Sequence, residues 1–366
     1  MKFHADKSSL LKLLQRIQGV VEKRNTKPIL ANVYIEAADG RIVTMATDLE
    51  IFIKDACEGA VMEEGAVTVN AKKLFDIVKE LPEGDIDFST DGERLTVKGS
   101  KAIFHLPGIA ASEFPAFPAI DESTLRRVDP ETLDTMIIHT AFAVSTDETR
   151  YNINGFLMER EDSRIRFVTT DGHRLAVVEG EAEGMEGDAS EGVILPRKGV
   201  AELKRLLEEK EEPLLFGLSE KSAVARQGDT YVYIRLIDGD FPDYRQVIPR
   251  DNDKKAVAER SELLAALRRV SILSTDKIKG VRFNFSKQKL TLSFASPDVG
   301  DATEELDIRY DDEELEAAFN ARYFIDVLEV LDDEEVMLEL KDNASPVKLL
   351  PVGRDDYTYI VMPMRL

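Results

Sequence analysis

Apolar residues recur at helical spacing through DKSSLLKLLQRIQGVV (6–21), behind an Asp/Ser start that reads as a helix N-terminus. Segments of the same kind return as DPETLDTMIIHTAFAVS (129–145) and ERSELLAALRRVSILS (259–274). With Leu10, Leu133 and Leu263 taken as equivalent, the copies lie 123 and 130 residues apart. After each one the hydrophobic period drops to two, as in Leu290, Leu292 and Phe294, and a strand–turn–strand unit is predicted. The three units read VYIEAADGRIVTMATDLEIFI, FLMEREDSRIRFVTTDGHRLAVV and VRFNFSKQKLTLSFASPDV, with Asp39-Gly40 a turn signal in the first. A second helix follows in each copy, beginning NAKKLF at 70, PRKGVA at 196 and NARYFI at 320, at offsets of 126 and 124 residues. Further strands close each copy, the last ending in YTYIVMPMRL.

Two helices and two groups of strands, in one order at a period near 125 residues, predict three tandem copies of one α+β domain, two helices backed by antiparallel sheets. The joints are expected in the polar stretches PAIDESTLRR (118–127) and PRDNDKKAVAER (249–260), which gives domains 1–123, 124–252 and 253–366. At 366 residues and 43% hydrophobic content, the chain can bury a core in each.

Composition narrows the function classes. No apolar run reaches the roughly 18 residues of a membrane span, and the opening MKFHADKSSL lacks the pattern of a secretory signal. Cys57 is the only cysteine, so no internal disulfide forms and the expected compartment is the cytoplasm. A net charge of −22 argues on its face against nucleic acid, whose binding depends on Lys and Arg. The charge is unevenly placed, however: the six helix candidates together carry +4, which leaves −26 on the remainder. Helix surfaces often carry basic residues as mere solvated faces. Alternatively, tandem copies curve into an arc, two arcs close head to tail into a ring, and basic helices facing inward hold a polyanion by enclosure.

The heptapeptide TTDGHRL (169–175) offers the most pointed chemistry, with Asp171 and His173 placed around a glycine in a chain of four histidines. Read as a catalytic acid–base pair it lacks partners, since no Gly-x-Ser-x-Gly elbow accompanies it. Cys57 has only Lys54 nearby to activate it. His4, His105, His139 and His173 show no metal-ligand spacing, and no phosphate-cradling Gly-rich loop is present. No catalytic residue, metal or cofactor is expected. The other reading of TTDGHRL is a rigid polar corner.

The chain resembles the bacterial sliding clamps, the β subunits of the replicative DNA polymerase III holoenzyme. The likeness runs over the whole length through MKF at 1–3, PIL at 28–30, TDLE at 47–50, LPEG at 81–84 and EFP at 113–115. It continues through TDGHRLAV at 170–177, PRKGV at 196–200, FPDYR at 241–245, ILS at 272–274 and the ending VMPMRL. It implies a non-catalytic processivity factor with the DNA clamp fold, closed as a head-to-tail homodimeric ring around duplex DNA without sequence specificity. Implied partners are the polymerase III core, the clamp loader, and other polymerases and repair proteins that dock by short linear motifs; none is a membrane.

The resemblance turns TDGHRL into one wall of a peptide pocket between the middle and C-terminal domains. Its residues would be Thr170, Gly172, His173, Arg174 and Leu175, with Pro242 and Val247 after FPDY, and Ile360, Met362, Pro363, Met364 and Arg365 from the tail. Ile153, Asn320, Tyr323 and Ser345 would complete it. Residues two apart share a face of a strand, so Met362 and Met364 fit either a last core strand or a groove; the resemblance favours the groove. DNA contacts would fall on Arg24, Tyr151 and Lys198, with Lys73 and Lys79 on the second helix. Three departures bear on these sites: Asp147 replaces a neutral side chain beside DNA, Asn152 a second aromatic, and Gln246 a rim Arg. At the ring joint Phe104 and Leu106 would meet Ile272 and Leu273 across subunits. There Lys72 and Lys73 could face Asp298, Glu304 or Glu305, each exposed pair contributing about 0–1 kcal/mol.

Overall fold

The computed structural model describes residues 1–21, 27–147, 149–181, 187–208, 212–274 and 280–365, so the Arg24 expectation lies outside the described residues. Six α-helices are described: α1 Lys7–Arg16, α2 Ala71–Glu80, α3 Pro130–Ala141, α4 Arg197–Leu207, α5 Arg260–Val270 and α6 Ala321–Val330. The helical pattern of 6–21 shortens to α1 plus a single 3-10 turn at Ile17–Gly19. Local chemistry explains where the helices begin. Asp6 accepts from Ser9 N at 3.0 Å, Asn70 from Lys73 N at 3.0 Å, and Asn320 from Arg322 N at 3.1 Å. Glu259 caps α5 through Ser261 N and Glu262 N, and Pro130 stands first in α3, where its missing N–H costs nothing.

The chain packs as two compact units, and the middle repeat is divided between them. One unit comprises Met1–Pro130 and Lys198–Leu236. Its antiparallel five-stranded sheet runs Ala60–Glu63, Lys2–Asp6, Asp85–Asp91, Arg94–Gly99, Ala102–Leu106. A nine-stranded sheet is built around Arg41–Thr47, Ile51–Glu58 and Thr230–Arg235. The pairing of Ile53 with Val232 makes it continuous between the first repeat and the second half of the middle one. Phe3 stacks on Phe88 with centroids 4.6 Å apart, over a core that includes Leu10, Leu14, Leu74 and Val78.

The other unit comprises Glu131–Arg197 and Ile237–Leu366. Its eight-stranded sheet runs Gly187–Pro196, Gly155–Asp162, Arg164–Thr170, Arg174–Glu181, Tyr357–Val361, Val347–Pro351, Glu335–Leu340, Lys254–Glu259. Leu175 pairs with Ile360, which joins the first half of the middle repeat to the last strand of the chain. A four-stranded sheet, Gly300–Asp307, Lys289–Ser296, Gly280–Ser286 and Leu315–Asn320, packs Phe283 and Phe319 against Phe324 of α6. Buried tyrosines find partners: Tyr357 Oη donates to His139 O at 2.9 Å, and Tyr359 Oη to Tyr323 O at 3.0 Å.

Candidate functional site

The TTDGHRL corner is built by its own backbone. Gly172 has φ +89°, a region that favours glycine, and a Cβ there would meet the Arg150 guanidinium at 2.9 Å. Thr170 Oγ1 accepts from Gly172 N at 3.0 Å and donates to Arg174 O at 2.6 Å. Asp171 Oδ1 accepts from His173 N at 2.9 Å and Arg174 N at 3.1 Å, while Oδ2 accepts from Arg174 Nε at 3.0 Å. The carboxylate is therefore occupied as a turn former. The His173 ring lies parallel to Tyr323, centroids 6.5 Å apart, instead of engaging Asp171 as an acid–base pair. The corner is a scaffold.

Arg174 is the spine beneath it. Its side chain is largely buried, bonds Asp326 at 2.6 Å, donates to Phe142 O, and lies 4.6 Å from the Tyr323 ring centroid. Asp326 and Phe142 were missed in the sequence because they stand one helix and one loop away, with nothing local to mark them. Next to this spine, Leu175, Val177 and Ile360 form a buried apolar cluster with Leu157, Val168, Ile194 and Tyr244. Ile237, Phe241 and Ile248 pack against it half-buried, and Pro242 and Val247 stand exposed at its rim. Tyr244 and Phe241 belong to the FPDYR motif, so that motif supplies buried as well as exposed residues here.

The chain end is strapped across the same place. The last strand stops at Val361, so Met362 and Met364 lie beyond it and not within a core strand. Met362 N donates to His173 O at 2.9 Å and Met364 N to Ala318 O at 2.7 Å. Met362 is exposed; Pro363 and Met364 are half-buried. A cleft of about 500 Å³ opens along this segment, lined by Met362–Arg365 with Arg282, Glu316–Ala318, Asn343 and Ala344. Thus Thr170, His173, Arg174, Leu175, Tyr323, Ile360 and the tail are brought together. Ile153 is buried, Asn320 caps α6, and Ser345 N is held by Asp342 at 2.7 Å.

The rim loop is anchored by charge. Glu159 accepts from Tyr244 Oη at 2.7 Å, Arg245 Nη2 at 2.9 Å and Arg166 Nη1 at 3.1 Å. Burial raises the Glu159 pKa, but these three donors outweigh it and hold the carboxyl below the ordinary 4.5. Because the folded value is depressed, this stabilisation is complete above the unfolded value and is lost as pH falls through the folded one. Glu159→Gln is expected to cost about 1.5–3 kcal/mol in urea unfolding and to speed hydrogen exchange at Val247, whose amide donates to Tyr244 O at 3.1 Å.

The remaining predicted residues are spread over other surfaces. Lys73 and Lys79 are exposed on α2, and Lys72 pairs with Asp76 at 3.7 Å. Lys198 Nζ is bound by Asp48, and Tyr151 is well exposed in a 3-10 turn. Asp147 accepts from Thr149 N at 3.0 Å and Thr149 Oγ1 at 2.6 Å, bonds that draw its pKa down. Asn152 Nδ2 donates to Asp240 O at 3.2 Å and Gln246 Nε2 to Asp243 at 2.8 Å. Ala102–Leu106 is an edge strand that exposes Ile103 and Phe104, with Leu106 half-buried. Gly300–Asp307 is the edge of its own sheet, beside Leu273, Val299 and an Ile272 that is 76% exposed. Glu304 already holds Arg269 at 3.0 Å and Glu305 holds Lys289 at 2.9 Å within the chain. Among the described residues no group of three His, Cys, Asp or Glu could hold a metal, and no helix is long and apolar enough to cross a membrane.

Three family models cover the chain: the N-terminal domain of the DNA polymerase III beta subunit matches residues 1–118, its central domain 127–243, and its C-terminal domain 245–365. A beta sliding clamp of Salmonella typhimurium is 38% identical over 368 residues, with all of both chains covered. A DNA polymerase sliding clamp from Pseudomonas aeruginosa, solved with ligand, superposes with a TM-score of 0.94 at 36% identity over the full length of both. A Caulobacter crescentus beta sliding clamp, solved with PEG bound to its putative beta-motif tethering region, gives 0.95 at 35% identity, again over both full lengths.

Proposed function

Because the chain belongs to the DNA polymerase III beta-subunit family of bacterial sliding clamps, we propose that it works as a head-to-tail dimeric ring around duplex DNA in the cytoplasm, tethering polymerases and repair proteins by short peptides. It is a non-catalytic processivity factor. The observation that carries the tethering role is the cleft along residues 362–365, tied to the corner of residues 170–175 by the bond from Met362 N to His173 O. A buried apolar cluster, a rigid polar corner and the exposed Met362 adjoin there. Linear peptides are recognised by such combinations, in which one or two apolar anchors fill a pocket and a polar rim fixes register. The exposed sheet edges at 102–106 and 300–307, each beside exposed aliphatic side chains, suit pairing between copies. On this reading three successive repeats make half of a six-domain ring, with domains at 1–123, 124–252 and 253–366. Arg24, Lys73, Lys79, Tyr151 and Lys198 meet the duplex.

The reading makes DNA retention topological, since a chain of net charge −22 gains little from attraction to a polyanion. Loaded onto a nicked circle, the protein is expected to remain through a gel-filtration run in moderate salt and to be released once the circle is cut. Equal retention on cut and closed DNA would overturn encirclement.

A further inference from the structure

The turn at Thr47–Ile51 repeats three of the amide bonds of the Thr170–Arg174 corner. Thr47 Oγ1 accepts from Leu49 N at 2.8 Å, as Thr170 Oγ1 does from Gly172 N. Asp48 Oδ1 accepts from Glu50 N at 3.0 Å and Ile51 N at 2.8 Å, as Asp171 Oδ1 does from His173 N and Arg174 N. Glu50 O receives Arg235 N at 2.8 Å, where His173 O receives Met362 N at 2.9 Å. The aspartates differ in what their second oxygen holds. Asp171 Oδ2 takes its neighbour Arg174, whereas Asp48 Oδ2 takes Nζ of Lys198, the second residue of α4 and 150 positions away.

We infer that Asp48 is a built-in counter-charge that holds Lys198 back from duplex phosphates and so sets how loosely the protein grips DNA. The inference rests on the reading of Lys198 as a DNA contact. Ordinary surface pairs join two flexible side chains and dissolve at little cost. Here one partner is fixed. The Asp48 side chain is only 5% exposed and is pinned by two backbone amides, while the Lys198 side chain remains 35% exposed. An approaching phosphate meets a reachable cation whose charge is already balanced by an anion that cannot turn away. The next turn of α4 repeats the arrangement, with buried Glu202 holding Arg205 at 2.6 Å. The formal charge of α4 therefore overstates its pull on DNA, as suits a ring that must slide: every firm phosphate contact adds to the barrier between one register and the next.

Asp48→Asn retains the oxygen that accepts from Glu50 and Ile51 and replaces the anionic oxygen facing Lys198 by a neutral NH2 that cannot accept from it. Binding of the full-length dimer to a fluorescent duplex is measured from 50 to 200 mM salt for wild type, D48N, K198Q and the double variant. D48N is expected to bind more tightly at low salt, with a plot of log K against log salt steeper by about 0.9, the release attending one added phosphate contact. Its advantage over wild type then shrinks about 3.5-fold across that range. Adding K198Q is expected to remove the extra slope. A D48N slope equal to wild type, or weaker binding by D48N, overturns the inference while leaving DNA binding intact. A wild type with no salt-dependent association with duplex overturns Lys198 as a DNA contact, while encirclement is tested separately by retention on the nicked circle. Should D48N unfold early, Asp48→Ser, whose hydroxyl can accept from the same amides, carries the same comparison.

Discussion

A chain cut after Val361 is expected to lose at least about thirtyfold in affinity for polymerase-derived peptides, the scale of one hot-spot deletion of 2 kcal/mol or more, while still folding and dimerising. The cut spares the strand Tyr357–Val361, whose pairing with Arg174–Glu181 and buried tyrosines anchor the sheet. It removes the segment held by His173 O and Ala318 O, and with it Met362, an exposed apolar residue bonded to the corner through its backbone. What disappears is a flexible, polarisable contact surface able to adapt to several ligands. Fluorescence anisotropy with a labelled peptide measures the loss, and a melting curve establishes that the fold persists. Undiminished affinity in the shortened chain would remove the groove from consideration.

Changing Ile272 and Leu273 together to Ala is expected to drive the dimer to monomer at micromolar concentration. Ile272 is 76% exposed in the single chain, so its loss leaves the fold almost untouched. Burying such a side chain in an interface is worth about 1.5–3 kcal/mol, and a head-to-tail dimer contains two identical joints, so the deficit counts twice. Sedimentation velocity reads the result directly. A variant that stays dimeric at nanomolar concentration would assign the joint to other residues.

Much of this protein is written locally. The Asn that opens NAKKLF and NARYFI does cap a helix, and the period-two stretches do form hairpins, because caps and alternation involve neighbours a few residues apart. The TTDGHRL corner was legible as rigid, since a Thr, an Asp and a Gly in succession make their own turn. Its chemistry was open to two readings, and what separates them is tertiary: the His173 ring lies against Tyr323, on an element far away in the chain. Met362 and Met364 were ambiguous for a similar reason: alternation predicts which face a side chain shares, not whether that face is covered.

The amino-acid order by itself determined the threefold repeat, the α+β composition, the capped helices and the polar corner, all products of interactions within one turn or one hairpin. Tertiary structure alone decided which charges meet. Arg174 finds Asp326 at a separation of 152 residues, and Lys198 finds Asp48 at 150. Strands from different repeats pair into common sheets and bring these partners together. Periodicity carries the orientation of a residue on its own element but nothing about the distant element placed opposite, and that element decides whether a cation such as Lys198 meets an anion.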